Sequence, residues 1–234
     1  MTAKKMTGRL VYKEVLAGTT WLLGISLEEK CEFTPGQFVS LKVNEMGLRR
    51  SYSIASLPGT NSIDLVIDVA PNGEGSKYIM SLKVGELVDV LGYLGKFVVG
   101  TEDLSQDEML FVGTGTGIVP LKVMVEDLLI NKQYKGIVNL IWGMRYETDL
   151  YWQSEIDKLQ REYDNFHLSI ALSRPGEKWP GVAEHVGDVI EKMTFQGIKT
   201  SIFLCGNPEM IMETKEKIIS KGVPEENILY ERYA

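Results

Sequence analysis

Arg50-Ser51-Tyr52-Ser53 puts a guanidinium, a phenol and two hydroxyls into one short stretch. On an extended strand successive side chains point to opposite faces, so Arg50 and Tyr52 share one face and Ser51 and Ser53 the other. Arg50 is an always-charged donor suited to a phosphate, Tyr52 can stack on or hydrogen-bond to a flavin and its ribityl chain, and Ser53 can reach a ring nitrogen. Taken alone, the four residues fit an ordinary edge strand equally well. Farther along, Gly113-Thr114-Gly115-Thr116-Gly117-Ile118-Val119-Pro120 lies between an apolar run at 109–112 and a helical pattern at 121–129. Glycines at a strand-to-helix turn let backbone N–H groups approach a phosphate, and the helix N-terminus adds partial positive charge. Gly115, Thr116 and Gly117 could therefore seat a pyrophosphate, although such turns are also common in α/β domains with no ligand there.

Two patterns position these residues. Up to about residue 100, β-rich runs at 9–15, 20–27, 37–43, 51–55, 63–69 and 87–91 alternate with turn residues, which reads as an antiparallel β-barrel or sandwich. A helix interrupts them at about 75–82, with Ser76 at its start. After the polar stretch 101–108, apolar strands at 109–112, 137–142, 167–172, 202–205 and 228–230 alternate with helical segments such as 150–162 and 208–221. That rhythm predicts an α/β parallel sheet covered on both faces, with ligands beyond the carboxyl ends of its strands. Gly113, Gly143, Ser173 and Gly206 are expected just after strand ends, lining one crevice. The domains expected are thus 1–100 and 101–234.

Composition narrows the function classes. A chain of 234 residues is comfortable as two domains, and 44% hydrophobic with 24% charged residues is ordinary for a folded globular protein. The formal net charge of −7 argues against nucleic acid as the main partner. The N-terminus shows no apolar leader core, and no apolar run approaches the ~20 residues that span a bilayer, so a cytoplasmic protein without a membrane span is expected. Two cysteines, Cys31 and Cys205, are too few for an iron–sulfur cluster held by this chain itself. His167 and His185 lack metal-ligand spacing, and no metal site is expected.

Six motifs in order resemble the ferredoxin-NADP reductase family: Pro35-Gly36-Gln37-Phe38, Arg50-Ser51-Tyr52-Ser53, Gly73-Glu74-Gly75-Ser76, 113–120, Trp142-Gly143-Met144-Arg145 and Cys205-Gly206-Asn207-Pro208. The resemblance covers nearly the whole chain. It implies an FAD-binding β-barrel domain, an NAD(P)-binding α/β domain, and hydride transfer between the two bound cofactors. By that resemblance Arg50 binds a flavin phosphate, Tyr52 lies against the isoalloxazine and ribityl, and Ser53 hydrogen-bonds near N5. Gly73, Gly75 and Ser76 hold the pyrophosphate, which implies FAD rather than FMN. Thr116, flanked by Gly115 and Gly117, meets the nicotinamide nucleotide, and Gly206 belongs to the same site. Cys205 matches a family cysteine facing the nicotinamide, against the plain reading of a small buried hydrophobe. Glu231-Arg232-Tyr233-Ala234 is similar to the family ending in which a carboxylate and an aromatic approach the flavin. The extra Ala234 leaves open whether Tyr233 shields the flavin or only ends a strand.

Ser173-Arg174 resembles a pair that holds a 2′-phosphate, with Arg145 and Lys178 as helpers, against a solvated loop. NADPH and NADH both stay open, with a slight tilt to NADPH. The function expected is an NAD(P)H-dependent FAD flavoprotein oxidoreductase serving a separate iron–sulfur or other redox protein. Two alternatives stand beside it: a flavin reductase using free flavin as substrate, and a nucleotide-sensing or assembly subunit.

Overall fold

A computed structural model of the protein describes residues 3–195 and 199–233. The chain divides into two units, one running through Val98 with Lys122–Met124 added, the other holding Val99–Leu121 and the chain from Val125 onward.

The first unit is an antiparallel six-stranded sheet in the order β4-β3-β6-β1-β2-β5. Its strands are β1 (Lys4–Ala17), β2 (Thr20–Leu27), β3 (Phe38–Lys42), β4 (Arg49–Ser53), β5 (Ser62–Asp68) and β6 (Leu87–Leu94). Inward positions alternate along β2, β3, β5 and β6: Leu23 and Ile25, Val39 and Leu41, Ile63 and Leu65, Val88 and Val90 are all fully buried. The edges meet where Ile54, just past β4, bridges Leu65 of β5, and the Ala55 N–H donates to the Asp64 carbonyl at 2.7 Å. The sheet is thereby closed into a barrel, which leaves no long open edge. Strand β1 is longer than the 9–15 expected because it serves two partners, β6 over Lys4 to Arg9 and β2 over Gly8 to Ala17. Register shifts at Leu10/Tyr12 and Val15/Ala17 bend it from one to the other and blur its alternation. Helix α1 (Glu74–Ser81) buries Ile79 in this core.

The second unit is a parallel sheet in the order β11-β10-β7-β8-β9. Its strands are β7 (Glu108–Thr114), β8 (Ile137–Met144), β9 (Phe166–Leu172), β10 (Thr200–Gly206) and β11 (Ile228–Arg232). Between them run α2 (Ile118–Glu126), α3 (Gln153–Glu162), α4 (Val186–Lys192) and α5 (Pro208–Ser220). Nearly every residue of β7 and all of β10 are buried, as strands covered on both faces must be. The Phe111 and Phe203 rings, in register on these neighbours, stack at 4.9 Å. The chain moves outward from β7 through β8 to β9 and then returns to place β10 on the other side of β7. The sheet's switch point therefore lies between the carboxyl ends of β7 and β10, the place where open α/β sheets bind ligands.

Two expectations are corrected here. Gly206 is the last residue of β10 rather than the residue after it, and Gly113 and Gly143 lie inside their strands, paired with Trp142 and Thr114 respectively. They are breakers in isolation, yet pairing keeps them extended, and close neighbours account for the missing side chains. A Cβ at Gly113 would come 2.8 Å from Leu121 Cδ1, and one at Gly143 would come 2.6 Å from Val186 Cγ1. Helix α4 was not expected; it is short, and its start is marked by the Asp188 carboxylate, which accepts the His185 N–H at 3.2 Å.

Candidate functional site

In the barrel unit, the expected cofactor residues come together around the first turn of α1. Arg50 and Tyr52 both face Gly75, so the period-two reading of the strand holds. A Cβ at Gly75 would stand 2.6 Å from the Tyr52 hydroxyl, closer than real contacts allow, and a tight 3.0 Å from Arg50 Cγ. Glycine there lets the helix start lie directly on the strand. Gly73 is the N-cap residue, and no side chain caps this end, so its backbone donors are left for an anion. Open space surrounds Gly73 where a side chain would be. Arg50 is exposed, with Nη1 donating to the neighbouring Arg49 carbonyl at 3.0 Å. Burial pushes the Tyr52 phenol up to about 12 against the pull of the Arg50 guanidinium, so it stays a hydrogen-bond donor at neutral pH. Ser53 is buried at the end of the strand. Ser76 is half-buried in the same helical turn.

The other end of α1 is pinned by a residue that sequence reasoning missed. Lys13 Nζ donates to the Met80 and Leu82 carbonyls at 2.9 and 3.0 Å and sits 5.0 Å from the centre of a Trp21 ring. A cation at a helix C-terminus complements its dipole. Only the tertiary fold brings Lys13 there, so no local signal announced it.

In the sheet unit, the loops after β7 and β10 interlock. Gly115 has φ +57° and Gly206 φ +127°, both in the region that favours glycine. A Cβ at Gly206 would meet Thr114 Oγ1 at 2.6 Å, and one at Gly117 would meet the Cys205 carbonyl oxygen at 2.3 Å. The Asn207 N–H donates to Thr114 Oγ1 at 3.2 Å, tying the two loops. Asn207 Oδ1 then accepts from the Glu209 and Met210 N–H groups, and Pro208 opens α5. Gly117→Ala is expected to lose about 1–3 kcal/mol, because the clash is with rigid backbone rather than a flexible chain end. Thermal melting checks this, and an unchanged melting temperature would refute the packing argument.

Cys205 is fully buried, in register with Gly113 on one side and Glu231 on the other. Burial and the Glu231 carboxylate push its thiol well up, so it is a neutral SH, and Tyr233 hydrogen-bonds to it. The Tyr233 N–H also donates to the Gly206 carbonyl at 3.0 Å. Cys205, Gly206, Glu231 and Tyr233 therefore form one cluster beside the Gly115–Gly117 turn. Ala234 lies outside the described residues.

A second group gathers beyond β8 and β9. The Ser173 N–H donates to the Met144 carbonyl at 3.0 Å and the Arg174 N–H to the Arg145 carbonyl at 2.9 Å. Arg174 Nη1 lies 3.5 Å from the Tyr146 hydroxyl, and Arg145, Arg174 and Lys178 are exposed. Tyr146 is another neighbour that sequence reasoning did not single out. Among the described residues no group of three or more potential metal ligands comes together.

Comparison with known proteins matches both units. Residues 7–99 match the oxidoreductase FAD-binding domain and residues 111–216 the oxidoreductase NAD-binding domain. The chain is 32% identical to ferredoxin–NADP reductase B of Sorangium cellulosum, over 86% of this chain and 85% of that protein. It is 30% identical to the toluate 1,2-dioxygenase electron transfer component of Pseudomonas putida, over 86% of this chain and 59% of that one. The chain spans about half the length of several curated relatives it matches. In fold it resembles a ferredoxin NADP+ reductase from Neisseria gonorrhoeae with bound FAD and NADP, at a TM-score of 0.86 and 19% identity, covering 98% of each chain.

Proposed function

Since the chain belongs to the ferredoxin-NADP reductase family, we propose that it is an NAD(P)H-dependent FAD flavoprotein reductase that passes electrons to a separate ferredoxin-type iron–sulfur protein. The observation that carries this reading is the cradle at Gly75, where the start of α1 lies on Arg50 and Tyr52 with no room for a Cβ. Residues 1–100 take the flavin and residues 101–234 the coenzyme in this reading.

Arg50 binds a flavin phosphate, and backbone donors at Gly73, Gly75 and Ser76 hold the pyrophosphate that FMN lacks. Tyr52 lies against the isoalloxazine with its phenol protonated, and Ser53 hydrogen-bonds near N5. Bound FAD supplies the conversion of a two-electron hydride into single electrons. Gly115, Thr116, Gly117 and Gly206 take the coenzyme pyrophosphate and nicotinamide ribose, while Arg145, Ser173 and Arg174 take its adenosine end. Cys205 seats the nicotinamide as a neutral thiol, Glu231 sets the polarity beside it, and Tyr233 closes the same cluster. No strong general acid or base is required of the chain.

The test is to release the cofactor from purified protein and identify it by chromatography, then follow reduction by NADPH and NADH and transfer to a ferredoxin. About one FAD per chain and turnover with ferredoxin are expected. Finding FMN would refute the FAD assignment, and a colourless protein that turns over free flavin would establish the flavin-reductase alternative instead. Among the described residues no helix is long and apolar enough to cross a membrane, and we place the protein in the cytoplasm.

Coenzyme choice follows from Arg174. Only NADPH carries a 2′-phosphate, so Arg174→Ala should lower kcat/KM for NADPH about tenfold and leave NADH within about twofold. Equal losses for the two coenzymes, or a wild-type preference for NADH, would overturn the assignment.

A further inference from the structure

Trp142 is fully buried on β8, in register beside Gly113, and its indole Nε1 donates to the Gly115 carbonyl at 3.1 Å. The same carbonyl accepts the Ile118 N–H, so both of its lone pairs are used. Among the described residues the one cis peptide is Gly92–Tyr93, so Gly115–Thr116 is trans. In a trans peptide the C=O and N–H point opposite ways. With the carbonyl drawn inward to the indole, the Thr116 N–H points outward. The turn is also open at Gly115, where a Cβ would meet nothing within 4 Å. The indole plane is itself fixed: Tyr151 packs edge-on at 5.0 Å, and Trp152 packs edge-on to Tyr151 at 5.1 Å.

We infer that Trp142 is a positioning residue for the coenzyme loop, holding the Gly115 carbonyl from within the sheet so that the Thr116 N–H is aimed outward at a coenzyme phosphate. This rests on the assignment of Gly115 to Gly117 to NAD(P)H binding. A phenylalanine or leucine would fill most of the same volume but has no donor. The indole N–H is therefore the feature that sets the peptide plane of a turn whose left-handed glycine can otherwise rotate easily.

The experiment is calorimetric titration of NADP+ into FAD-loaded wild-type and Trp142→Phe protein, with melting temperature and bound FAD measured alongside. Loss of one aimed donor should weaken NADP+ binding about three- to tenfold while bound FAD is unchanged. A variant that melts earlier but binds NADP+ as tightly as wild type overturns the inference, because packing alone would then explain Trp142. Wild-type protein that binds neither NADP+ nor NAD+ overturns the coenzyme reading itself, and the role of Trp142 falls with it. Should the variant fail to fold, the four tryptophan indole N–H signals of the wild type can be followed by NMR. Trp21→Phe, Trp152→Phe and Trp179→Phe identify the other three. The Trp142 signal should exchange slowly and shift on NADP+ addition, and a signal unmoved at saturation refutes the proposal.

Discussion

Arg50→Ala should weaken FAD binding on the order of 10- to 150-fold and leave the barrel folded. The expectation comes from the charge-assisted contact between a guanidinium and a phosphate, typically about 1.5–3 kcal/mol, at 1.4 kcal/mol per tenfold. The fold does not depend on this side chain. Arg50 is exposed, and β4 is held to β3 by a backbone ladder from Phe38↔Ser53 to Lys42↔Arg49. The adjacent Arg49 carries the structural role, pairing with Asp89 at 2.7 Å and donating to the Ser40 carbonyl at 3.1 Å. Titration of FAD into flavin-stripped protein measures the affinity, and melting of the stripped variant measures the fold. Arg50→Lys should recover only part of the loss, since an ammonium keeps the charge but not the planar fork. FAD affinity within about twofold of wild type in the alanine variant would remove Arg50 from the cofactor site.

The parts of the fold that were legible beforehand are those where local pattern and tertiary environment agree. The bounds of β2, Thr20–Leu27, match the expected 20–27, and its ladder with β5 runs from Thr20↔Asp68 to Ser26↔Ser62 without a register shift. The parallel strands are recognisable by their apolar runs, with the carboxyl end of β9 at Leu172 as expected and those of β7, β8, β10 and β11 farther on than expected. Gly113, Gly143 and Gly206 read as breakers, whereas neighbouring strands hold Gly113 and Gly143 extended with Leu121 and Val186 of the helices too close for side chains, and Gly206 ends β10 at φ +127° against Thr114. Strand β1 hid its length behind two register shifts, and α4 was too short to show periodicity.

The candidate sites divide in the same way. That Arg50 and Tyr52 share a face follows from strand periodicity, which needs no knowledge of the rest of the chain. That both lie under Gly75 does not follow from it, because α1 is placed there by burial of Ile79 and by Lys13 at its far end. Cys205 meets Tyr233 only because β11 adds in parallel beside β10, pairing Cys205 with Glu231. Trp142 closes the expected strand 137–142 and opens one of the six motifs, but its type and position alone give its side chain no role. Its indole N–H matters only once the register with β7 sets it beside Gly115. Chemistry that depends on residue type could be read in advance, and chemistry that depends on which strand is neighbour to which could not.

Cys205→Ala should lower the limiting rate of flavin reduction by NADPH on the order of a hundredfold while FAD stays bound. The thiol fills the carboxyl end of β10, with the Gly117 turn pressed against its own carbonyl and Tyr233 hydrogen-bonded to its sulfur. In the proposed site, removing the sulfur would leave space beside the nicotinamide, and it frees Tyr233 from its partner. A misplacement of about 1 Å between reacting atoms can cost on the order of a hundredfold in rate. Coenzyme affinity should change little, because in the proposed site the phosphates are bound by backbone donors of the Gly115 to Gly117 turn and the adenosine end by Arg174, and neither contact uses the sulfur. Anaerobic stopped-flow reduction across a range of NADPH concentrations separates the limiting rate from apparent affinity. The wild-type limiting rate should show no step from thiol ionisation between about pH 6 and 9, since burial and Glu231 keep the thiol protonated well above its ordinary range. Cys205→Ser keeps a small hydrogen-bonding group in contact with Tyr233 and should recover part of the rate. If the limiting rate of the alanine variant equals that of the wild type, Cys205 is a packing residue of β10, and the step depends on Ser53 and Thr116 without it.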